Sequence, residues 1–292
     1  MDYTDAADAR VRVLSEADLA SALRERGERV VEHRGRFWTP VAPGFWMPIH
    51  PLARLTAEEA TRPALASWGY MAAMQGSVTS RANGVIVTYL VRDLEGYGEA
   101  CLTRRKREAL RQCRRQVRVV QLNDSRLLDQ QGHQVYLSYA QRLGVRDPLD
   151  VDAYQRMVQS WWDGRRLVLA GLIGDRLVGY MDSYAAEGTL YLNNIHVLAA
   201  AFPTNITTGL YFETLEAYRR SDLVTEAVGG LHQPEKPGLT TFKASLGFEV
   251  VEVPAYHRMI RPVGALFRRL RPLTYYRLTG QAVPATDQTL AS

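Results

Sequence analysis

The chain has 292 residues, of which 46% are hydrophobic and 23% are charged. That length suits one large domain or two small ones, with a core that folds without covalent staples. The two cysteines, Cys101 and Cys113, are too few for a disulfide framework, and the first 25 residues contain no apolar segment. No stretch approaches 18 uncharged apolar residues. We therefore expect a cytoplasmic protein rather than a secreted or membrane-spanning one.

The net charge of +5 conceals two strongly basic segments. Residues 104–118 contain eight basic side chains and one acid, and residues 258–277 contain six basic side chains and no acid. The rest of the chain carries 22 basic and 30 acidic residues. Such local positive charge predicts a polyanionic partner or surface. Only three of the 36 basic residues are lysines, namely Lys106, Lys236 and Lys243, and this rarity weakly favours a specific need for each of them.

The first hundred residues have weak periodicity. Ser15 with Asp18 resembles a capping box that opens a helix, and Thr56 with Glu59 forms a second such pair, followed by a helix-breaking Pro63. β-branched and aromatic runs bounded by turn residues predict short strands. These predicted strands lie at residues 10–14, 36–38, 45–50 and 85–91.

From residue 103 onward the pattern is clearer. Residues 103–116 place Leu110 and Cys113 on one face and arginines on the other, which predicts an amphipathic helix. Gly174-Asp175 suits a two-residue hairpin. The further predicted elements are a strand at 117–122, helices at 124–143 and 152–162, strands at 167–173, 176–184 and 189–198, a helix at 205–219, a strand at 224–229, a helix at 239–246 and a strand at 248–254.

This order of elements over residues 99–260 resembles the GNAT superfamily of acyltransferases. The fragment LTTFKASLGF at 239–248 is similar to the family's late helix and the Gly-Phe pair that opens its final strand, and NIHV at 194–197 is similar to its donor-binding strand. The resemblance implies an α/β fold with a mixed sheet. It divides the chain into a smaller, reduced GNAT-like companion domain (1–98), the GNAT-like acyltransferase domain (99–260), and a basic C-terminal arm with a frayed tail (261–292).

Two features resemble the Fem-type branch, whose members take an amino acid from aminoacyl-tRNA. They are the arginine-rich helix ahead of the domain's first strand and the Phe242-Lys243 pair before Gly247. In CoA-dependent relatives a glycine-rich loop binds pyrophosphate, but here only Gly209 remains and Thr207 carries a Cβ. We therefore predict an N-acyltransferase in which an acceptor amine, on a small molecule or a peptide, attacks aminoacyl-tRNA.

Two alternatives remain open. One is an N-acetyltransferase that uses acetyl-CoA or another acyl-CoA, and the other is a non-catalytic RNA- or membrane-binding protein on the same fold. The six histidines are scattered, and no Cys or His pair has ligand spacing, so we predict no metal site and no required cofactor. The segment 258–277 mixes leucines with arginines, so we expect either peripheral contact with an anionic surface or a docked C-terminal arm.

The predicted site depends on a gap between the strands at 189–198 and 224–229. The resemblance places Lys243 beside a developing oxyanion, His196 as a proton acceptor and Asn194 as an orienting amide, each weighed against a purely structural role. Strand alternation predicts that at most one of Asn193 and Asn194 faces the cleft. The predicted donor-binding residues are Phe242, Val197, Leu198, Thr207, Thr208 and Gly209, with the backbone N–H near Val197 or Leu198 polarising the donor carbonyl.

The predicted tRNA-binding arginines are Arg104, Arg107, Arg111, Arg114 and Arg118. The predicted acceptor-binding residues are Asp182, Tyr184, Tyr191, Asn193 and His232.

Overall fold

The computed structural model describes residues 2–162 and 164–281. The strands are β1 (Tyr3–Asp5), β2 (Val13–Leu14), β3 (Val31–His33), β4 (Arg36–Ala42), β5 (Phe45–Pro48), β6 (Gly69–Ala73), β7 (Gly84–Val91), β8 (Arg118–Leu122), β9 (Leu167–Ile173), β10 (Arg176–Ala186), β11 (Thr189–Val197), β12 (Glu226–Leu231) and β13 (Glu249–Met259). The α-helices are α1 (Glu16–Glu25), α2 (Arg104–Gln116), α3 (His133–Leu143), α4 (Val151–Gln159), α5 (Ile206–Arg219), α6 (Pro237–Ser245), α7 (Arg261–Leu270) and α8 (Pro272–Thr279).

The chain forms two compact units that are discontinuous in sequence. Unit 1 contains the residues up to 14 together with 90–230 and 235–249, and unit 2 contains 15–89, 231–234 and the chain from 250 onward. The division predicted from the sequence instead has three consecutive segments. The difference arises because long-range strand pairs join distant segments: β1 pairs with β8, and β13 pairs with β6. The part of the predicted C-terminal tail beyond residue 281 lies outside the described residues.

Unit 1 is built on a mixed sheet in the spatial order β1-β8-β9-β10-β11-β12. Neighbouring strands are antiparallel except β11 and β12, which are parallel, and β2 adds to β10 in parallel. The predicted order of elements from residue 117 to β13 is confirmed, as is the mixed α/β class. The helix predicted at 124–143 is not uniform, because a π-helical turn at Leu128–Gly132 precedes α3. That turn brings Gly132 against the Tyr154 hydroxyl, where a Cβ would lie only 2.1 Å away.

The parallel pair β11 and β12 opens partway along its length. The register joins Thr189 to Glu226, Leu190 to Ala227 and Tyr191 to Val228, and it stops there, although β11 continues to Val197. Along the described strands, the second half of β11 therefore has β10 as a neighbour on one side and an open edge on the other. The gap on which the predicted chemistry depends is present.

Unit 2 has a second sheet, in the order β7-β13-β6-β5-β4-β3. Its core is aromatic: Trp38, Trp46 and Tyr70 are buried, and the Trp38 and Tyr70 rings meet edge to face with 6.1 Å between centroids. The Ser15–Asp18 capping box forms at the start of α1 as predicted. That this unit is a reduced GNAT-like domain stays a prediction.

The second predicted capping pair forms without a helix behind it. The Thr56 N–H donates to Glu59 Oε2 at 2.7 Å, and the Glu59 N–H donates to Thr56 Oγ1 at 3.3 Å. Turns follow instead of a helix. The physical reason is Pro63, which lacks an N–H and restricts the residue before it, so the turn cannot extend far enough to become stable.

Helices α2 and α5 pack closely because α5 contains a glycine at their contact. A Cβ at Gly209 would lie 2.4 Å from the Cys113 sulfur and 3.6 Å from the Cys113 Cβ. Gly209 therefore has a packing role, which the sequence analysis did not predict when it assigned this residue to donor binding.

We expect Gly209→Ala to destabilise the fold by about 1–3 kcal/mol through overpacking, despite the better helix propensity of alanine. Urea denaturation would measure this cost, and the Cys113→Ala background should remove most of it, because the sulfur would be gone. Gly238→Ala in α6 is the matched control, since a Cβ there meets nothing within 4 Å. An equal cost in both backgrounds would contradict the packing role.

Candidate functional site

Unit 1 contains a cavity of about 370 Å³ beside the open part of β11. Its size and mixed lining are typical of sites for small ligands or for the reactive end of a larger one. Four α-helices, one strand and the turn that follows this strand supply the walls. The lining residues are Lys106 from α2, Tyr139 and Arg142 from α3, Ile195 and Val197 from β11, Phe202 and Asn205 from the following turn, Thr207, Thr208 and Tyr211 from α5, and Leu239 and Phe242 from α6.

Lys243 lies directly behind this cavity and is almost completely buried, with 2% of its surface exposed. Its ammonium donates a hydrogen bond to the Tyr211 hydroxyl at 2.7 Å and lies 4.9 Å from the centroid of the Phe248 ring. A Cβ at Gly229 would lie 3.1 Å from the Lys243 Nζ, so β12 passes beside the ammonium. Burial lowers the pKa of Lys243 from 10.5 to about 7. Burial thus brings the loss of the lysine's charge from strongly basic pH toward neutral pH.

Tyr211 connects Lys243 to the cavity, since it both lines the cavity and accepts the lysine's hydrogen bond. Burial raises the pKa of Tyr211, so this side chain stays a phenol that can donate and accept a proton. Tyr211 is not among the site residues predicted from the sequence. Its spacing from Thr207 and Thr208, four and three residues along α5, places all three on one helix face and could have identified it.

Lys106 is a second residue that the sequence analysis did not include in the site. It comes from the basic helix α2 but points into the cavity, where its Nζ donates to Thr208 Oγ1 at 3.2 Å. The same ammonium lies 4.4 Å from the centroid of the Phe242 ring, within cation–π range. Burial lowers the pKa of Lys106 as well. Two of the chain's three lysines thus belong to this site, in line with the weak argument from their rarity.

The structure brings four of the six predicted donor-binding residues together. Phe242, Val197, Thr207 and Thr208 all line the cavity. The Thr207 hydroxyl is buried there without a protein partner, beside the N-terminal turn of α5. The other two residues lie elsewhere: Gly209 packs on α2, and Leu198 lies outside the lining. The Leu198 N–H donates to the Val178 carbonyl at 2.9 Å, so it is not available to polarise a donor carbonyl.

Asp182 and its neighbours form a closed hydrogen-bond network. The fully buried Asp182 carboxylate pairs with Arg166 and accepts from the side-chain amides of Asn193 at 2.8 Å and Asn194 at 2.9 Å. A β-bulge lets both asparagines reach it: Asp182 pairs with Asn194 and Ser183 with Leu192, which leaves Asn193 as the extra residue. Neither asparagine lines the cavity, so the prediction that at most one of them faces the cleft is not contradicted, although the bulge breaks the strand alternation on which that prediction was based.

We expect Asp182→Asn to lower the free energy of unfolding by about 2 kcal/mol, because it leaves the mostly buried Arg166 without a charged partner. Chemical denaturation measures the loss. If Asp182 instead binds the acceptor, as the sequence analysis predicted, the substitution should leave stability unchanged and raise the KM for the acceptor. Arg126→Gln is a suitable control, since it removes a surface ion pair with Asp124, which is worth about 1 kcal/mol or less.

His196 lies one layer behind the cavity, enclosed by aromatic rings. Its ring centroid is 4.5 Å from that of Tyr139, which lines the cavity, and 4.9 Å from that of Tyr180. Burial lowers the pKa of His196 from 6.5 to about 4, so the imidazole is neutral and weakly basic at pH 7. The geometry favours a packing role over the predicted proton transfer.

The remaining predicted acceptor residues are separated from this cavity lining. Tyr184 and Tyr191 are a cross-strand pair on β10 and β11, and their rings stack with 5.1 Å between centroids. His232 belongs to unit 2, where its Nδ1 forms a hydrogen bond of 2.9 Å with the Tyr276 hydroxyl.

Some of the predicted tRNA-binding arginines already form ion pairs with carboxylates in the described part of the protein, and others do not. Arg114 bridges Glu99 and Glu213, and Arg118 pairs with Asp5 at 2.8 Å. Arg104 pairs with Glu108, one turn along α2. Arg107 donates to the Leu102 carbonyl at 2.6 Å, whereas Arg111 is exposed on the same helix. The exposed surface of α2 also includes Arg105 and Arg115, which the sequence analysis did not select.

Two absences concern the described part of the chain. Between residues 2 and 281, apart from 163, no helix has the length and apolar character needed to cross a bilayer. Over those same residues, no group of His, Cys, Asp and Glu side chains is arranged to hold a metal ion.

Comparison with known proteins gives structural relatives but no sequence relatives. No protein family model and no curated protein matches the chain. The C-terminal domain of a protein named as a lysylphosphatidylglycerol synthetase, from Agrobacterium fabrum, aligns with a TM-score of 0.60 and 12% identity over 91% of this chain and 98% of its own. FemX aligns with a TM-score of 0.58 and 9% identity, over 87% and 93%. The L-PGS structure from Bacillus licheniformis aligns with a TM-score of 0.53 and 13% identity, over 93% and 99%.

At these identities the comparisons establish the fold. The alignments span nearly the whole of both chains, and one of the matched structures carries the Fem name that the Phe242-Lys243 pair and the arginine-rich helix suggested. The chain therefore has a GNAT-like fold, and its predicted resemblance to the Fem-type branch is confirmed at the level of the fold.

Proposed function

We propose that this protein is an acyltransferase that moves an aminoacyl group from aminoacyl-tRNA to an acceptor amine. The observation that carries the proposal is the Lys243–Tyr211 pair at the wall of the cavity beside open β11, because it joins a titrating base to a group that substrate can touch. Two structural relatives support the reaction class. One is FemX, and the other is named for the joining of lysine to phosphatidylglycerol.

The proton transfers that the reaction requires explain why a pair such as Lys243 and Tyr211 is useful. An amine that attacks an ester carbonyl must lose a proton, and the leaving ribose oxygen must gain one. The Tyr211 hydroxyl accepts the amine proton while it passes its own proton to neutral Lys243. The transfer then reverses toward the leaving oxygen, so that both residues return to their starting state. A base with a pKa near the working pH is well suited to both steps.

The same cavity also supplies positive charge for the donor. The Lys106 ammonium, the Thr207 hydroxyl and the N-terminal turn of α5 face the same space. Together they suit the terminal phosphate of a tRNA or the oxyanion of the tetrahedral intermediate. In this proposal Lys106, rather than Lys243, is the charge nearest the oxyanion, because Lys243 reaches the cavity only through Tyr211.

The exposed arginines of α2 are proposed to hold the tRNA backbone. Arg105, Arg111 and Arg115 are exposed and form no ion pair within the described residues, so they can meet phosphates at little cost. Arg104, Arg114 and Arg118 would first have to leave their carboxylate partners. We therefore assign most of the tRNA affinity to the first group.

The test is transfer of a radiolabelled amino acid from charged tRNA into acceptors of a tRNA-free cell extract. We expect protein-dependent transfer, and a product that survives mild alkali would identify an amide rather than an ester. Arg105→Gln/Arg111→Gln should weaken tRNA binding. The slope of the logarithm of the binding constant against the logarithm of the salt concentration should become less steep by about 0.9 for each lost phosphate contact. Arg146→Gln/Arg176→Gln removes the same charge from exposed positions elsewhere in unit 1 and should leave binding unchanged.

An acyl-CoA donor is the second candidate, and the unpartnered Thr207 hydroxyl at the first turn of α5 is the observation that favours it. A pyrophosphate could bind there. The discriminating measurement is the melting temperature with CoA and with charged tRNA, since a ligand that binds only the folded state raises it. If CoA raises the melting temperature and the protein does not bind tRNA, the donor is an acyl-CoA and not aminoacyl-tRNA.

A further inference from the structure

Helix α7, the last but one helix of the described chain, presents leucines to solvent. Leu266 and Leu270 are 55% and 58% exposed, and they lie on one helix face because they are four residues apart. Leu273, at the start of α8, is exposed as well. Phe267, on a neighbouring face, stacks on Trp68 with 5.1 Å between ring centroids. This contact holds α7 on its unit while the leucines face outward.

Basic groups surround these leucines. The segment 258–277 contains six arginines and no acid, and Arg269 and Arg271 are exposed next to Leu270. On its inner side α7 borders a cavity of about 470 Å³ whose lining includes Arg258, Arg261 and Arg268. Exposed apolar side chains and arginines thus occur on the same short helix.

We propose that α7 is a peripheral docking surface for an anionic phospholipid bilayer. Leu266, Leu270 and Leu273 would enter the boundary of the acyl region, while Arg269 and Arg271 meet lipid phosphates. The arginine-lined cavity would receive the phosphate of one headgroup. This inference goes beyond the proposed reaction and does not depend on it.

Two other occupants fit the face less well. RNA would pair with the arginines, but it offers the exposed leucines no apolar medium, so their exposure would gain nothing. A second copy of the chain, placed face to face on α7, would bring two segments of charge +6 together without an acid in either. A bilayer with anionic headgroups satisfies both the apolar and the basic side chains.

The test is co-sedimentation of the full chain with phosphatidylcholine vesicles, alone and with phosphatidylglycerol added to about 30% of the lipid. We expect binding to the anionic vesicles to be at least about tenfold tighter and to weaken at high salt. Leu266→Ser/Leu270→Ser should reduce that binding about tenfold or more. Arg269→Gln/Arg271→Gln should reduce it by about fivefold per charge, at about 1 kcal/mol each.

Matched controls separate this surface from general stickiness and from unfolding. Val41→Ser/Leu65→Ser removes two exposed apolar side chains elsewhere in unit 2, and Arg146→Gln/Arg176→Gln removes two exposed charges from unit 1. Both should bind vesicles like the parent chain, and all variants should keep its melting temperature. Equal binding of neutral and anionic vesicles would overturn the proposal. The proposal would also be overturned if the leucine variant bound anionic vesicles as tightly as the parent chain. The same holds if the arginine variant lost its binding to bulk tRNA but kept its binding to anionic vesicles. Transfer to water-soluble acceptors is measured without vesicles, so its failure is distinguishable from failure of docking.

Discussion

Lys243→Met is expected to lower the rate of aminoacyl transfer about a thousandfold while it increases the stability of the fold. The rate falls because the proton that leaves the amine has no base to reach beyond Tyr211. Stability rises because methionine has a similar length, fills the same site and removes an ammonium that is buried without a carboxylate partner among the described residues. A residue kept for stability would give the opposite sign.

The gain in stability should depend on pH in a defined direction. Lys243 has a pKa of about 7 in the folded protein and of 10.5 when it is exposed. Below pH 7 both states hold the proton, so the folded protein bears the full cost of the buried charge. Between pH 7 and 10.5 the unfolded state binds more protons, so the stability of the parent chain rises by about 1.4 kcal/mol per pH unit.

The measurement is the difference in free energy of unfolding between Lys243→Met and the parent chain. It should be largest at pH 6 and smaller by about 3 kcal/mol at pH 9. The transfer rate of the parent chain should rise with pH through a midpoint near 7. Lys236→Met, at an exposed lysine just before α6, should change neither quantity. A stability difference that is flat with pH would show that Lys243 does not titrate near 7.

Local sequence signals were sufficient for much of unit 1. The hairpin at Gly174-Asp175 forms where the dipeptide predicts it, and the amphipathic pattern of 103–116 correctly predicts α2 with Leu110 and Cys113 buried. These features are fixed by neighbours within a few residues. The opening between β11 and β12 could be predicted only from the family resemblance, since it depends on where a parallel register ends.

The features that the sequence analysis missed are non-local. A β-bulge at Asn193 changes which side chains share a face, and no pattern in one strand reveals it, because the bulge is a relation between β10 and β11. The two units are each assembled from distant segments through pairs such as β1 with β8. The spacing of Tyr211 from Thr207 and Thr208 could have placed it on the site's helix face, but its contact with Lys243 joins two different helices and no local pattern shows it.

That relation between Tyr211 and Lys243 leads to the second large effect. Tyr211→Phe is expected to lower kcat for transfer by about a hundredfold to a thousandfold, with little change in the affinity for charged tRNA, because only the hydroxyl is lost. Single-turnover kinetics measures the rate, and tRNA binding is measured separately. Tyr218→Phe, two turns along α5, is the matched control: Tyr218 is buried but does not line the cavity.

The double variant Tyr211→Phe/Lys243→Met tests whether the two residues form a single proton relay. In a relay the proton crosses both groups in series, so removal of either one breaks the path and removal of the second costs nothing more. We therefore expect the double variant to transfer no more slowly than Lys243→Met alone. If the two losses multiply instead, Tyr211 and Lys243 contribute independently. Lys243 would then stabilise charge through space, as the sequence analysis predicted, rather than through the Tyr211 hydroxyl.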